Sequence, residues 1–352
     1  MSLAPRDSVA LMEGYHSPQL DVAVRLNTNE APGPPPPAFG ERLAAAVAGI
    51  QWHRYPDRTY RVLRSALAGL HGVEPGQVFV ANGSNEVLQT LCLAYGGPGR
   101  TAAVFEPTYA LHGHIARVTG TNLVVGERGP DLALDIGEVR RVLAADAPDV
   151  TFLCSPNNPT GMLEPDEVVQ AVVDQAPGLV VVDEAYGQFA PRSALDLVDG
   201  ERALAVTRTF SKTWSMAGAR LGYLVGPAWL VEQLDKVVLP YHLDAFKQAA
   251  GTLALDFVAD MHERVGRLVE ERGRLVAALA RLPVDVWPSS ANFVLFRPRG
   301  MAGDAVWEAL VERSVLVRNC ASWPRLAGCL RVTVGTRDED DAFLAALGQV
   351  LA

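Results

Sequence analysis

The sequence predicts an α/β protein: a mostly parallel, seven-stranded sheet in a large domain, joined to a smaller α+β domain. Three observations carry that prediction. Short apolar runs recur without polar–apolar alternation, and helical stretches separate them, as in a parallel sheet buried on both faces. A long helical stretch, residues 245–282, follows the last of these runs. The chain has 352 residues, 49% of them hydrophobic, enough for one large domain with a smaller partner.

Residues 1–30 show little periodicity and form an N-terminal arm, broken by Pro5 and Pro18. Gly33-Pro34-Pro35-Pro36-Pro37 is expected to be extended or polyproline throughout, a rigid connector. Helices are expected over 41–50 and 60–70. The large domain, residues 31–245, then takes strands over 77–81, 101–105, 122–125, 150–154, 179–182, 203–206 and 222–225. Helices over 86–95, 109–118, 136–145 and 165–175 alternate with them. The small domain, residues 246–352, is linked by the long helix, which is expected to break once. Its strands are 284–287, 292–296, 315–318 and 330–334, with helices over 303–313 and 338–351.

Bulk properties exclude several classes. A net charge of −9 argues against non-specific nucleic-acid binding, which needs a basic face. The four cysteines, Cys92, Cys154, Cys320 and Cys329, form no C-x-x-C pair, so zinc-ribbon and thioredoxin readings fail. No metal site is expected: the H-x-H of His112 and His114 has no carboxylate or cysteine at a suitable spacing, and both read as helix-surface or structural histidines. Residues 1–15 lack a basic region followed by an apolar one, and no apolar run reaches the length of a membrane span. A cytoplasmic protein is expected.

Chemistry concentrates after the strand at 203–206, in Thr207-Arg208-Thr209-Phe210-Ser211-Lys212-Thr213-Trp214-Ser215-Met216-Ala217-Gly218-Ala219-Arg220. Desolvation lowers a lysine's pKa, and a neutral amine can attack an aldehyde to form a Schiff base. Thr209, Ser211 and Arg220 supply donors suited to a phosphate. An aldehyde with a phosphate describes pyridoxal phosphate (PLP). Taken alone, the stretch also fits a surface turn with an ordinary lysine. In an open α/β sheet, ligands bind beyond the carboxyl ends of the strands. Ser84, Asn85, Tyr109, Asn158, Asp183, Tyr186 and Lys212 all fall there. Ser84 or Asn85 also suits a helix cap, Asn158 a plain turn, and Tyr109 core packing.

Further pieces accompany this stretch: Leu26-Asn27-Thr28-Asn29-Glu30, Arg54-Tyr55-Pro56, Ala81-Asn82-Gly83-Ser84-Asn85-Glu86, Ser155-Pro156-Asn157-Asn158-Pro159-Thr160-Gly161 and Val182-Asp183-Glu184-Ala185-Tyr186. Together they resemble the fold-type-I aminotransferases that use PLP, and within them the histidinol-phosphate aminotransferases of histidine biosynthesis. The resemblance runs from about residue 15 to the C-terminal helix. It implies that Lys212 carries the cofactor and moves a proton as base and acid. Asp183 would pair with the pyridine nitrogen, Tyr186 and Asn158 would bond its phenolic oxygen, and Tyr109 would stack on the ring. Ser84, Asn85, Thr209, Ser211 and Arg220 would hold the phosphate. Tyr55 would reach the phosphate of a second subunit, making the protein a homodimer with shared sites.

Tyr15, Asn29, Tyr241, Arg318 and Arg331 are the implied substrate contacts. A guanidinium fork suits a carboxylate or a phosphate equally, although Arg318 also reads as a sheet-edge arginine in water. The expected reaction is transamination of L-histidinol phosphate with 2-oxoglutarate. Two departures keep other small-molecule substrates open. Asp244 and Lys247 stand where relatives carry small hydroxyl residues, and Trp214 stands near a usual smaller aromatic. The alternatives are an aromatic or other amino-acid aminotransferase, or a PLP decarboxylase of a phosphorylated amino acid on the same fold. A non-catalytic binding protein is disfavoured by the joint presence of Lys212, Asp183 and Tyr186.

Overall fold

The computed structural model describes residues 3–5, 7–10, 12, 14 and 18–352. Among these, two sheets organise the chain. The first has seven strands: β2 (Val78–Ala81), β3 (Thr101–Glu106), β4 (Asn122–Glu127), β5 (Val150–Cys154), β6 (Leu179–Asp183), β7 (Leu204–Thr209) and β8 (Gly222–Val225). Their order across the sheet is β2-β8-β7-β6-β5-β3-β4. All pairs are parallel except those of β8, which runs antiparallel to β2 and β7. The second sheet has the order β1-β11-β12-β10-β9, built from β1 (Val24–Leu26), β9 (Val284–Val286), β10 (Phe293–Pro298), β11 (Val315–Asn319) and β12 (Leu330–Thr333).

Burial on both faces explains the missing alternation. Val181 of β6 packs beneath α4 (Ser84–Tyr95), α5 (Ala110–Thr119) and α8 (Ala228–Val237), against Leu88, Ile115 and Leu230. Its neighbours Val180 and Val182 face the other way, onto Val139 and Val172 of α6 (Ile136–Asp146) and α7 (Asp166–Gln175). Positions 179–182 of the strand are therefore all apolar. The remaining helices are α1 (Asp7–Ala10), α2 (Pro37–Ala48), α3 (Arg61–His71), α9 (Ala245–Ala254), α10 (Val258–Leu279), α11 (Gly303–Glu312) and α12 (Arg337–Leu351). The expected break in the long helix is a 3-10 turn, Leu255–Phe257, between α9 and α10.

Three local expectations need correction. Pro37 does not continue the extended proline run; it is the first residue of α2, which starts four residues before the expected position. Proline's fixed φ and missing N–H suit a first helical turn. The arm, expected to lack regular structure, contributes β1, whose Val24 pairs in parallel with Val315 of β11. Helix α8 has no counterpart in the sequence reading.

Candidate functional site

The loops after β2, β3, β5, β6 and β7 converge on one cavity of about 370 Å³. Lys212 follows β7 and points into it. Its Nζ donates to the Thr28 carbonyl at 3.0 Å and lies 5.8 Å from the centre of the Tyr186 ring. Desolvation, and next the positive charge of Arg331, lower the amine's pKa from 10.5 to about 7. A sizeable share of the amine is then neutral and nucleophilic at physiological pH.

Asp183 ends β6 and is buried. Its Oδ1 accepts from Thr207 Oγ1 at 3.2 Å and from the Ala185 N–H at 3.1 Å. Its Oδ2 lies 2.9 Å from His112 Nε2. A carboxylate offers no proton, so Nε2 must carry it. Of the two readings the sequence offered, helix-surface or structural, His112 takes the structural one. It is buried on α5, stacked on Phe152 with ring centres 4.9 Å apart, and it fixes the Asp183 carboxylate. The available signal was its position three residues after Tyr109, on the same helical face.

Tyr186 OH accepts from Asn29 Nδ2 at 2.9 Å, and burial pushes its phenol up to about 12. Asn29 has φ +56 and is held by Thr333 Oγ1 and by the Asn292 side chain, which donates to its carbonyl. Asn158 Oδ1 accepts from Arg331 Nη1, while Arg331 Nη2 donates to the Asn27 carbonyl at 3.0 Å. Tyr109 OH donates to Asn85 Oδ1 at 3.1 Å.

At the opposite end, an oxyanion cradle surrounds the start of α4. Ser84 and Asn85 open that helix, whose first N–H groups lack intrahelical partners. Arg220 Nη1 donates to Ser211 Oγ at 3.2 Å, and Thr209 Oγ1 bonds the same hydroxyl at 3.0 Å. Gly83 has φ +83, and a Cβ there would lie 2.9 Å from Arg220 Nη2. Only glycine lets the guanidinium approach this closely. Among the described residues, no cluster of three His, Cys, Asp or Glu side chains could hold a metal.

The cavity thus brings together Asn29, Ser84, Asn85, Tyr109, Asn158, Asp183, Tyr186, Thr209, Ser211, Lys212, Arg220 and Arg331. Three other described residues, Tyr55, Tyr241 and Arg318, are implied contacts that lie outside its lining. Tyr55 is 81% exposed and stacks on Tyr241 at 4.6 Å between ring centres. Arg318 is 9% exposed on the interior strand β11, over the Trp323 ring, so it is not an arginine at a sheet edge in water. Tyr15 lies outside the described residues. The Thr28 carbonyl and Trp323 also line the cavity and were not singled out. Both sequence departures fall elsewhere. Trp214 is 4% exposed and packs on Phe210. Asp244 caps α9 and pairs with Lys247.

Known proteins resemble this chain over nearly its whole length. Residues 21–347 match the family described as aminotransferase class I and II. A histidinol-phosphate aminotransferase of Frankia casuarinae is 45% identical over 98% of this chain and 90% of its own. One from Streptomyces avermitilis is 45% identical over 99% of this chain and 96% of its own. The crystal structure of the Sinorhizobium meliloti histidinol-phosphate aminotransferase, in complex with pyridoxal-5'-phosphate, superposes with a TM-score of 0.85 at 26% identity. That match covers 94% of this chain and 91% of the other.

Proposed function

The chain belongs to the aminotransferase class I and II family, and from that premise we propose the reaction it performs: PLP-dependent transfer of the amino group of L-histidinol phosphate to 2-oxoglutarate. The products are imidazole-acetol phosphate and L-glutamate, in histidine biosynthesis. One observation carries the reading. A single cavity holds an amine with pKa near 7, a buried carboxylate and an oxyanion cradle.

The residues fit the cofactor. Lys212 is the amine its aldehyde requires, and the Gly83–Arg220 approach leaves a cradle that suits its phosphate. When bound, PLP supplies an aldehyde that condenses with amines and a ring that accepts the electrons released at the substrate's α-carbon. Asp183, oriented by His112 and Thr207, balances a cationic ring nitrogen. Tyr186 and Asn158 offer hydrogen bonds to the phenolic oxygen, and Tyr109 packs against the ring. Ser84, Asn85, Thr209, Ser211 and Arg220 bind the phosphate. Once released, Lys212 Nζ takes the α-proton of the substrate. Its depressed pKa keeps it a competent base near neutrality. Arg331 binds the phosphate of one substrate and a carboxylate of the other, and Asn29 lines the same cavity.

The same proposal includes a homodimer in a cytoplasmic setting. Trp52, Tyr55, Leu239 and Tyr241 are exposed, and a covering subunit would receive Tyr55 at its cofactor phosphate. The four cysteines are unpaired and buried, as suits a reducing compartment. Among the described residues, no helix is long and apolar enough to cross a membrane. The division into arm, large and small domains at residues 30 and 245 belongs to the proposal too.

The test is a comparison of kcat/KM for histidinol phosphate, phenylalanine and tyrosine with 2-oxoglutarate. Histidinol phosphate should lead; a preference for either aromatic acid overturns the substrate. Borohydride reduction of the holoenzyme should label Lys212, and a label elsewhere overturns the site. Full activity in a sedimenting monomer overturns the dimer.

A further inference from the structure

Helix α10 sends one arginine to the Lys212 segment. Arg264 Nη1 donates to the carbonyl of Thr213, the residue directly after Lys212, at 2.9 Å. Thr213 is 1% exposed, so water cannot replace that donor. Its hydroxyl donates to Gln188, two residues after Tyr186, and Gln188 Nε2 lies 3.8 Å from Met261 Sδ on the same α10. Helix α10 therefore holds the Lys212 and Tyr186 walls of the cavity through adjacent positions on one helical face.

Side-chain packing anchors Trp214, but few backbone bonds hold the segment. Ser215 sits at φ +56, and the Trp214 indole N–H and Ser215 hydroxyl are buried without partners. The Met216 N–H closes the loop onto the Phe210 carbonyl at 3.1 Å, but no such bond restrains residues 212 and 213. The charged groups facing the Lys212 amine are Arg331, Arg220 and Glu30. Arg264 is not one of them, so its influence runs through the peptide, not through its charge.

We propose that Arg264 is a positioning residue for Lys212, setting the amine's place in the cavity through the Thr213 carbonyl. The inference rests on Lys212 being the reacting amine. Without the guanidinium, the 213–214 peptide turns outward to find water, and the adjoining Lys212 amine follows it into a better-solvated position.

Two readouts test this, one without cofactor. In the cofactor-free protein, the rate of Lys212 acetylation is followed against pH by mass spectrometry. Arg264→Met keeps the aliphatic stem and loses the donor. It should raise the amine's apparent pKa by about one unit, towards its ordinary 10.5, as solvation returns. In the holoenzyme it should lower kcat by about tenfold, with KM for L-glutamate unchanged. Arg264→Lys, which retains a donor, should restore most of both. If Arg264→Met does not fold, Arg264→Gln, with a shorter donor, is read in the same way. An unmoved titration with an unmoved kcat overturns the proposal. So does a loss of thermal stability that leaves both in place. Failure of Lys212 to take the borohydride label is a separate result and would remove the premise instead.

Discussion

Replacing His112 by phenylalanine isolates the support beneath the Asp183 carboxylate. Phenylalanine keeps the ring that stacks on Phe152 and meets Tyr109 edge-on, so packing is largely preserved. What is lost is the shortest of three bonds to the carboxylate, 2.9 Å against 3.1 Å and 3.2 Å. A hydrogen bond to a charged group contributes about 1.5–3 kcal/mol, and the buried oxygen left behind has no water to turn to. If that term is expressed when the ring nitrogen must be held cationic, kcat should fall by about 10- to 100-fold. Stopped-flow measurement of the half-reaction with L-glutamate gives the number directly. Thr207→Val removes the longest of the three bonds and should cost less. A His112→Phe rate equal to wild type, or a larger loss in Thr207→Val, would refute the reasoning.

Other outcomes follow from features outside that contact. Gly83→Ala places a Cβ 2.9 Å from Arg220 Nη2 at a positive φ, so cofactor affinity should fall by about tenfold in a fluorescence titration. Unchanged affinity would separate Arg220 from the phosphate. Arg128 and Glu164 form a buried ion pair at 2.6 Å, and Arg128→Met should destabilise the fold by about 3–5 kcal/mol in urea. The double variant Arg128→Met with Glu164→Leu should recover most of that; equal losses would argue against an uncompensated charge. Burial, opposed by the Gly335 N–H and assisted by Glu271, pushes the Asp340 carboxyl up to about 7. The folded state then holds the proton more tightly than the unfolded one. Asp340's contribution to stability is full below its ordinary 3.8 and is lost as pH rises to about 7. Asp340→Asn should flatten that slope in thermal melts, and an unaltered slope would assign it to other groups.

The central sheet and the polar ends of its strands were legible in the chain because burial on both faces leaves an unmistakable local trace. Val180, Val181 and Val182 are all apolar because each has a helix to meet. Asp183 and Lys212 were legible for the opposite reason, being charges at the ends of such runs. The hidden parts depend on partners far along the chain. His112 lies 71 residues from Asp183, and nothing around it in sequence announces a carboxylate. Strand β1 is three residues long, and only its pairing with β11 makes it a strand. Trp214 and Asp244 could be read as pocket residues until packing turned one onto Phe210 and the other onto the start of α9.

The pairing of β1 with β11 sets an order of assembly. Val24 and Val315 are neighbours in space, so the small sheet needs segments from nearly opposite ends of the chain. During synthesis, the arm emerges early and waits for β11 and β12. The same arm carries the Thr28 carbonyl that accepts from Lys212 and the Asn29 amide that meets Tyr186 and Thr333. The parallel sheet can form around strands whose partners lie closer in sequence, whereas closing a loop of nearly 300 residues adds an entropic cost that only late contacts repay. Lys212 would thus remain open to solvent until β11 and β12 have been made, and the cavity around it closes only then.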